Sequence, residues 1–164
     1  MSCSQIQLSG GAGSSRRMAH LSSVFLRLAL GMSFLSAVAD RFGYWGAFGQ
    51  RNVAWGDFAR FTAYTARLNW FMPSVTIPVL AWASTCAETL LGLALILGAF
   101  TRIAALLSGL LLLLFAMCMT LALGFEASLS LSVFSASAAA FLLATCSEYG
   151  CSIDSFRRTQ QRGG

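Results

Sequence analysis

The stretch Trp82–Arg102, WASTCAETLLGLALILGAFTR, decides the fold. It is a long apolar run with one carboxylate, Glu88, near its middle. A run of this length can cross a bilayer. A carboxylate at that depth costs several kcal/mol unless it is neutralised, paired or wetted, so it must face protein or a cavity. The stretch therefore predicts a helical bundle in lipid, with Glu88 turned inward and neighbouring segments supplying its surroundings.

Composition agrees. The 164 residues are 57% hydrophobic and only 10% charged, against roughly 25% charged in soluble domains. Too little polar surface remains to face water everywhere. All eleven basic residues are arginine. A net charge of +5 could suggest nucleic acid, but these arginines cluster at the ends of apolar runs. There they report topology and contact with anionic lipid. The five cysteines, Cys3, Cys86, Cys118, Cys146 and Cys151, lack the pattern of a secreted disulfide framework. Most read as reduced small hydrophobes. The C-x4-C spacing of Cys146 and Cys151 is not a dithiol redox motif.

Working outward, residues 1–18 are rich in Ser and Gly and read as a disordered tail. The first apolar run covers about 21–42. Arg16-Arg17, this run and Ala37-Val38-Ala39 imitate a cleavable signal peptide. Arg27 interrupts the hydrophobic region and the run is long, so the expectation is a retained helix. Residues 43–73 are too polar to span and unusually aromatic. Within them, a helical wheel over 53–70 sets Phe58, Phe61, Thr65 and Leu68 opposite Arg60, Tyr64 and Arg67. That pattern fits a helix in the interface plane or a short helix packed over the bundle mouth. A second span follows at about 74–100, a third at 103–123 and a fourth at 127–145. In the fourth, Ser128, Ser132, Ala136 and Ala140 form a small-residue stripe that permits close helix approach. A polar tail, residues 148–164, closes the chain. No strand-like alternation supports a β-barrel.

The expected architecture is thus all-α: a four-transmembrane-helix antiparallel bundle over residues 19–147, with an amphipathic helix between spans 1 and 2. Four crossings put both termini on one side. Arg16, Arg17, Arg102, Arg157, Arg158 and Arg162 share that side, and Arg41, Arg51, Arg60 and Arg67 lie opposite. The bias favours cytoplasmic termini and an inner-membrane protein.

Heights along the helices allow an Arg27–Glu88 pair between spans 1 and 2. Arg27 stands ~10 Å above the cytoplasmic end and Glu88 ~16–20 Å, at 1.5 Å per residue. Gly31 and Gly92 would let those backbones approach. Glu88 has three readings: a structural ion pair, a carboxylate that exchanges protons with a bound small molecule, or a protonated acid near lipid. Arg27 alternatively snorkels to the interface. Asp40 alternatively pairs with Arg41 or the outer segment. His20 is the sole histidine, so one chain cannot hold a haem between two histidines. No Cys/His cluster has metal-ligand spacing, and no dinucleotide fingerprint is present. No metal site and no intrinsic cofactor are expected.

Several motifs resemble the DoxX family of small four-helix membrane proteins. They are RLALG at 27–31, ADRF at 39–42, AETLLG at 87–92, LGAFTR at 97–102 and SVFSASAA at 132–139. The resemblance implies an inner-membrane bundle. Some DoxX relatives are subunits of a thiosulfate:quinone oxidoreductase, and others associate with membrane redox complexes. By resemblance, Arg27, Asp40, Glu88 and Arg102 are the family polar positions, with Glu88 the candidate catalytic group. Three functions follow as expectations. One is a redox-associated subunit binding a quinone, with a redox protein partner. Another is a non-catalytic membrane scaffold or partner subunit. The third is a small transporter, which would need homo-oligomerisation to gather enough polar groups. Membrane lipid is the expected surrounding, and nucleic acid is not an expected partner.

Overall fold

The computed structural model describes residues 4–146. The polar tail expected at 148–164, with Cys3 and Cys151, lies outside the described residues. The helices are α1 (Ser4–Arg41), α2 (Phe58–Leu68), α3 (Ile77–Leu97), α4 (Thr101–Leu123), α5 (Phe125–Ser130) and α6 (Val133–Thr145). A 3-10 turn, Ser74–Thr76, leads into α3. No strand occurs among the described residues. Helix α1 begins at Ser4, inside the stretch whose composition predicts a tail. Once a helix is nucleated, each added residue gains a hydrogen bond, so it can propagate into weak helix formers.

Among the described residues, three segments are long and apolar enough to cross a membrane: Arg17–Arg41, Ser74–Leu97 and Thr101–Leu123. The expected fourth span is different. It is split into α5 and α6 at Leu131–Ser132, where Ser132 takes a left-handed φ of 54°. Helix α6 alone has 13 residues, or ~20 Å, short of a ~30 Å hydrocarbon core. No glycine or proline marks this break in the sequence.

The bundle is built from two antiparallel pairs, α1 with α3 and α4 with α6, joined through α3–α4 and α1–α6 contacts. In the first pair Gly31 meets Gly92. A Cβ on Gly31 would lie 2.9 Å from the Gly92 carbonyl oxygen, so only glycine lets the backbones come this close. In the second pair Gly109 lies under the ring of Phe141. Ser137 donates to the Gly109 carbonyl at 2.8 Å, and from α5 Ser128 donates to the Ala116 carbonyl of α4 at 3.0 Å. The stripe predicted for this region holds at Ser128 and Ala140, which are buried. At Ser132 it fails, because the break turns that residue outward. Leu30, Phe34, Leu95, Ala104, Ala105, Ala140, Leu143 and Ala144 form the core between the pairs.

At one end of the bundle lies the mouth. Helix α2 packs across it on α3, α4 and the end of α1. It buries Phe61, Thr65 and Leu68, the face the wheel predicted. Its start is capped by Asp57, whose carboxylate accepts from the Arg60 backbone N–H at 2.8 Å, as helix N-termini require.

Candidate functional site

The site lies beneath α2, where α1 ends beside the middle of α3. Arg41 is the last residue of α1 and is buried, 3% exposed. Its Nη2 donates to both oxygens of Glu88, at 2.6 and 2.8 Å. Its Nη1 donates to the Thr85 hydroxyl at 2.9 Å. Glu88 is 1% exposed and Thr85 3%. The two lie three residues apart, on one face of α3. Glu88 is therefore turned inward and paired, as the cost of a charge at this depth requires.

The partner is Arg41, not the Arg27 that helix heights suggested. Two physical facts explain the difference. The Gly31–Gly92 contact sets the register, and it places Arg27 about one turn further from the mouth than Gly31. Side chains on a helix also lean toward its N-terminus. In this antiparallel pair Glu88 leans toward the mouth and Arg41 leans down from it, so they converge. Arg27, on the same helix as Arg41, leans the same way, but from below Glu88, and so away from it. Arg41 lies ten positions beyond Gly31 along α1, so the contact and the true partner are far apart in sequence. A height estimate without this lean could not choose between the two arginines.

Aromatic rings close the site above. The Arg41 guanidinium carbon sits 3.8 Å from the Phe61 ring centre and 5.6 Å from that of Trp55. A desolvated cation over ring faces gains about 2 kcal/mol. Phe58 bridges to Trp82 at 4.4 Å and to Phe61 at 5.9 Å. Trp55 meets Phe61 edge-on at 5.3 Å. Arg41 thus ties together α1, α2 and α3 through one side chain.

Asp40 has a separate task. It is buried, 5% exposed, and one carboxylate oxygen accepts from the backbone N–H groups of Ala54 and Trp55 at 3.1 and 2.9 Å. It pins the returning end of the 42–57 loop, and so holds Trp55 over Arg41. Of the two partners weighed for Asp40, the outer segment holds it, through backbone rather than a charge. In that loop Gly43 has φ 74° and Gly56 φ 71°. A Cβ on Gly43 would meet the Gly56 carbonyl at 2.8 Å. Tyr64 lies beside Trp55. Burial pushes its phenol above the ordinary range, against a smaller lowering by Arg67.

The four positions picked out in the sequence are not one cluster. Asp40 and Glu88 both belong to the mouth, linked through Arg41 and Trp55. Arg27 is buried on α1 away from it. Arg102 is exposed at the start of α4, at the opposite end. Among the described residues, no three His, Cys, Asp or Glu side chains gather as a metal site. Cys86 is exposed, and Cys118 and Cys146 are half-buried free thiols. An open apolar groove of about 500 Å³ runs between α3 and α4, lined by Ala87, Leu90, Leu91, Leu107, Leu110, Leu111 and Leu114. It offers van der Waals contact and no polar chemistry.

The model of the family described as Methylamine utilisation protein MauE matches residues 18–130, more than half of the chain. No curated protein matches, and no solved structure matches. The family match overturns the resemblance to DoxX. The quoted DoxX motifs are short. Each combines an apolar helix, one charge and a glycine, which many small intramembrane bundles need in order to bury a polar group and pack closely. With DoxX removed, the thiosulfate:quinone expectation loses its basis.

Proposed function

The chain belongs to the MauE family, and from that premise we propose that this integral membrane protein serves a methylamine utilisation system as a non-catalytic partner subunit. Its task in this reading is to present a fixed outer mouth to other components of that system. The supporting observation is the state of Glu88. Both carboxylate oxygens are taken by Arg41, and Arg41 is roofed by Phe61. A substrate or quinone at Glu88 would have to displace a buried, stacked ion pair. Such a pair is suited to fixing which helices meet, a registry role known for buried polar groups.

The bilayer in this proposal is the inner membrane, with both termini cytoplasmic and α5–α6 completing a fourth crossing. Neutralisation of Arg41 by Glu88 supports that orientation. It removes one arginine from the outer tally and leaves Arg51, Arg60 and Arg67 there, against six on the side of the termini.

The test uses a strain that depends on this chain to grow on methylamine. Glu88→Gln should lower growth only as far as it lowers the amount of protein in the membrane. An Arg41→Met/Glu88→Leu chain, which swaps the pair for apolar groups of similar size, should restore both. Glu88→Gln protein present at the unsubstituted level but unable to support growth would show that the carboxylate does chemistry, and would overturn the proposal.

A further inference from the structure

The outward face of α2 is not used by the site beneath it. Arg60, Tyr64 and Arg67 stand at i, i+4 and i+7, a single stripe two turns long. Both arginines are exposed and Tyr64 is half-buried. Arg60 is held in place: its Nη1 meets Asp57 at 2.6 Å, and its guanidinium carbon lies 4.3 Å from the Phe48 ring centre. A guanidinium has five N–H donors, so donors remain for a second anion.

The rings around this stripe fix its depth. Trp45 folds back along α1, its indole N–H donating to the Ser36 carbonyl at 3.0 Å. Ser36 lies five residues before the end of α1, or ~7 Å below it. Trp70 is 72% and Phe71 53% exposed in the connection from the end of α2 to α3. Trp and Tyr concentrate where hydrocarbon meets headgroups. Trp45, bound at that height, puts the hydrocarbon edge at the last turn of α1. Helix α2 then lies at headgroup depth, and its arginines face a layer of phosphodiesters.

We infer that the Arg60–Tyr64–Arg67 stripe of α2, flanked by Trp45, Trp70 and Phe71, is a docking surface for anionic phospholipid headgroups. Depth favours lipid over a soluble acidic protein: exposed rings at the hydrocarbon edge are satisfied by the bilayer itself. Charge complementarity selects the anionic class, since the exposed stripe offers two cations and a phenol O–H donor to a phosphodiester. Among the described residues, the carboxylate paired with the stripe, Asp57, is already shared between Arg60 and the helix N-terminus. The inference does not depend on the methylamine assignment.

Native mass spectrometry of the full chain, released from nanodiscs of equal phosphatidylglycerol and phosphatidylcholine, tests it. The unsubstituted chain should retain phosphatidylglycerol preferentially. Each of Arg60→Gln and Arg67→Gln should lower that preference about fivefold, the equivalent of ~1 kcal/mol per basic residue near an anionic surface. Arg102→Gln, an exposed arginine at the other end, should leave most of the preference intact. All three sites are exposed, so folding should be preserved, and helical circular dichroism checks this. Equal retention of both lipids would overturn the inference. So would a preference lost with Arg102→Gln but kept in Arg60→Gln/Arg67→Gln, or a preference transferred to an acidic protein that displaces the lipid from the stripe.

Discussion

The two antiparallel pairs hold themselves together by opposite means. At the mouth, α1 and α3 are joined by reach: one long cation crosses to a carboxylate and a hydroxyl under aromatic cover. Between α4 and the α5–α6 segment the joint is made by closeness, with Gly109 under Phe141 and the hydroxyls of Ser137 on α6 and Ser128 on α5 bound to facing α4 carbonyls. Reach tolerates small shifts of backbone but fails when one charge is lost. Closeness is indifferent to charge but fails when volume is added. The Gly31–Gly92 contact brings the second kind of joint into the first pair, and it sets the register that makes the ion pair possible.

The contrast can be broken in order of expected effect. Removing one partner of the buried pair by Glu88→Gln should cost about 3–5 kcal/mol, read as loss of folded protein in reversible unfolding from mixed micelles. Gly31→Val should come next. Its added carbons meet the Gly92 backbone, and overpacking of this kind costs about 1–3 kcal/mol. It should also disturb the Arg41–Glu88 pair, whereas Gly109→Val should not; cysteine crosslinking between α1 and α3 separates the two. Asp40→Ala leaves the Ala54 and Trp55 N–H groups without their acceptor, and should cost about 2 kcal/mol. It should also open the 42–57 loop to proteolysis while the spans stay intact. Asp57→Ala removes the α2 cap, at about 1 kcal/mol. Smallest is Ser137→Ala, at roughly 0.6 kcal/mol, the average for interhelical hydrogen bonds in a membrane bundle.

What the sequence disclosed follows the same division. Periodic and compositional signals are local, and they were legible: an all-helical membrane bundle, the buried face of α2, and a Glu88 turned inward. Left-handed ends at Gly98 and Gly124 also coincide with the turns expected there. Signals that depend on how two helices slide past one another were not. Arg27 and Arg41 are both plausible partners for Glu88 by composition, and only the Gly31–Gly92 register and the lean of side chains choose Arg41. The break at Leu131–Ser132 was hidden because Ser132 adopts a positive φ without any glycine or proline to announce it. Family identity failed for a related reason. A charge beside a glycine in an apolar helix reports a physical need that different bundles share.

The most direct test is a double-mutant cycle on Arg41→Met and Glu88→Leu, measured by reversible unfolding in mixed micelles. Each single change should be costly, because it strands a buried charge, and the double should cost far less than the two together, with a coupling of at least about 2 kcal/mol. Costs that add to within about 0.5 kcal/mol would mean that Arg41 and Glu88 do not act as a pair, and would contradict the account.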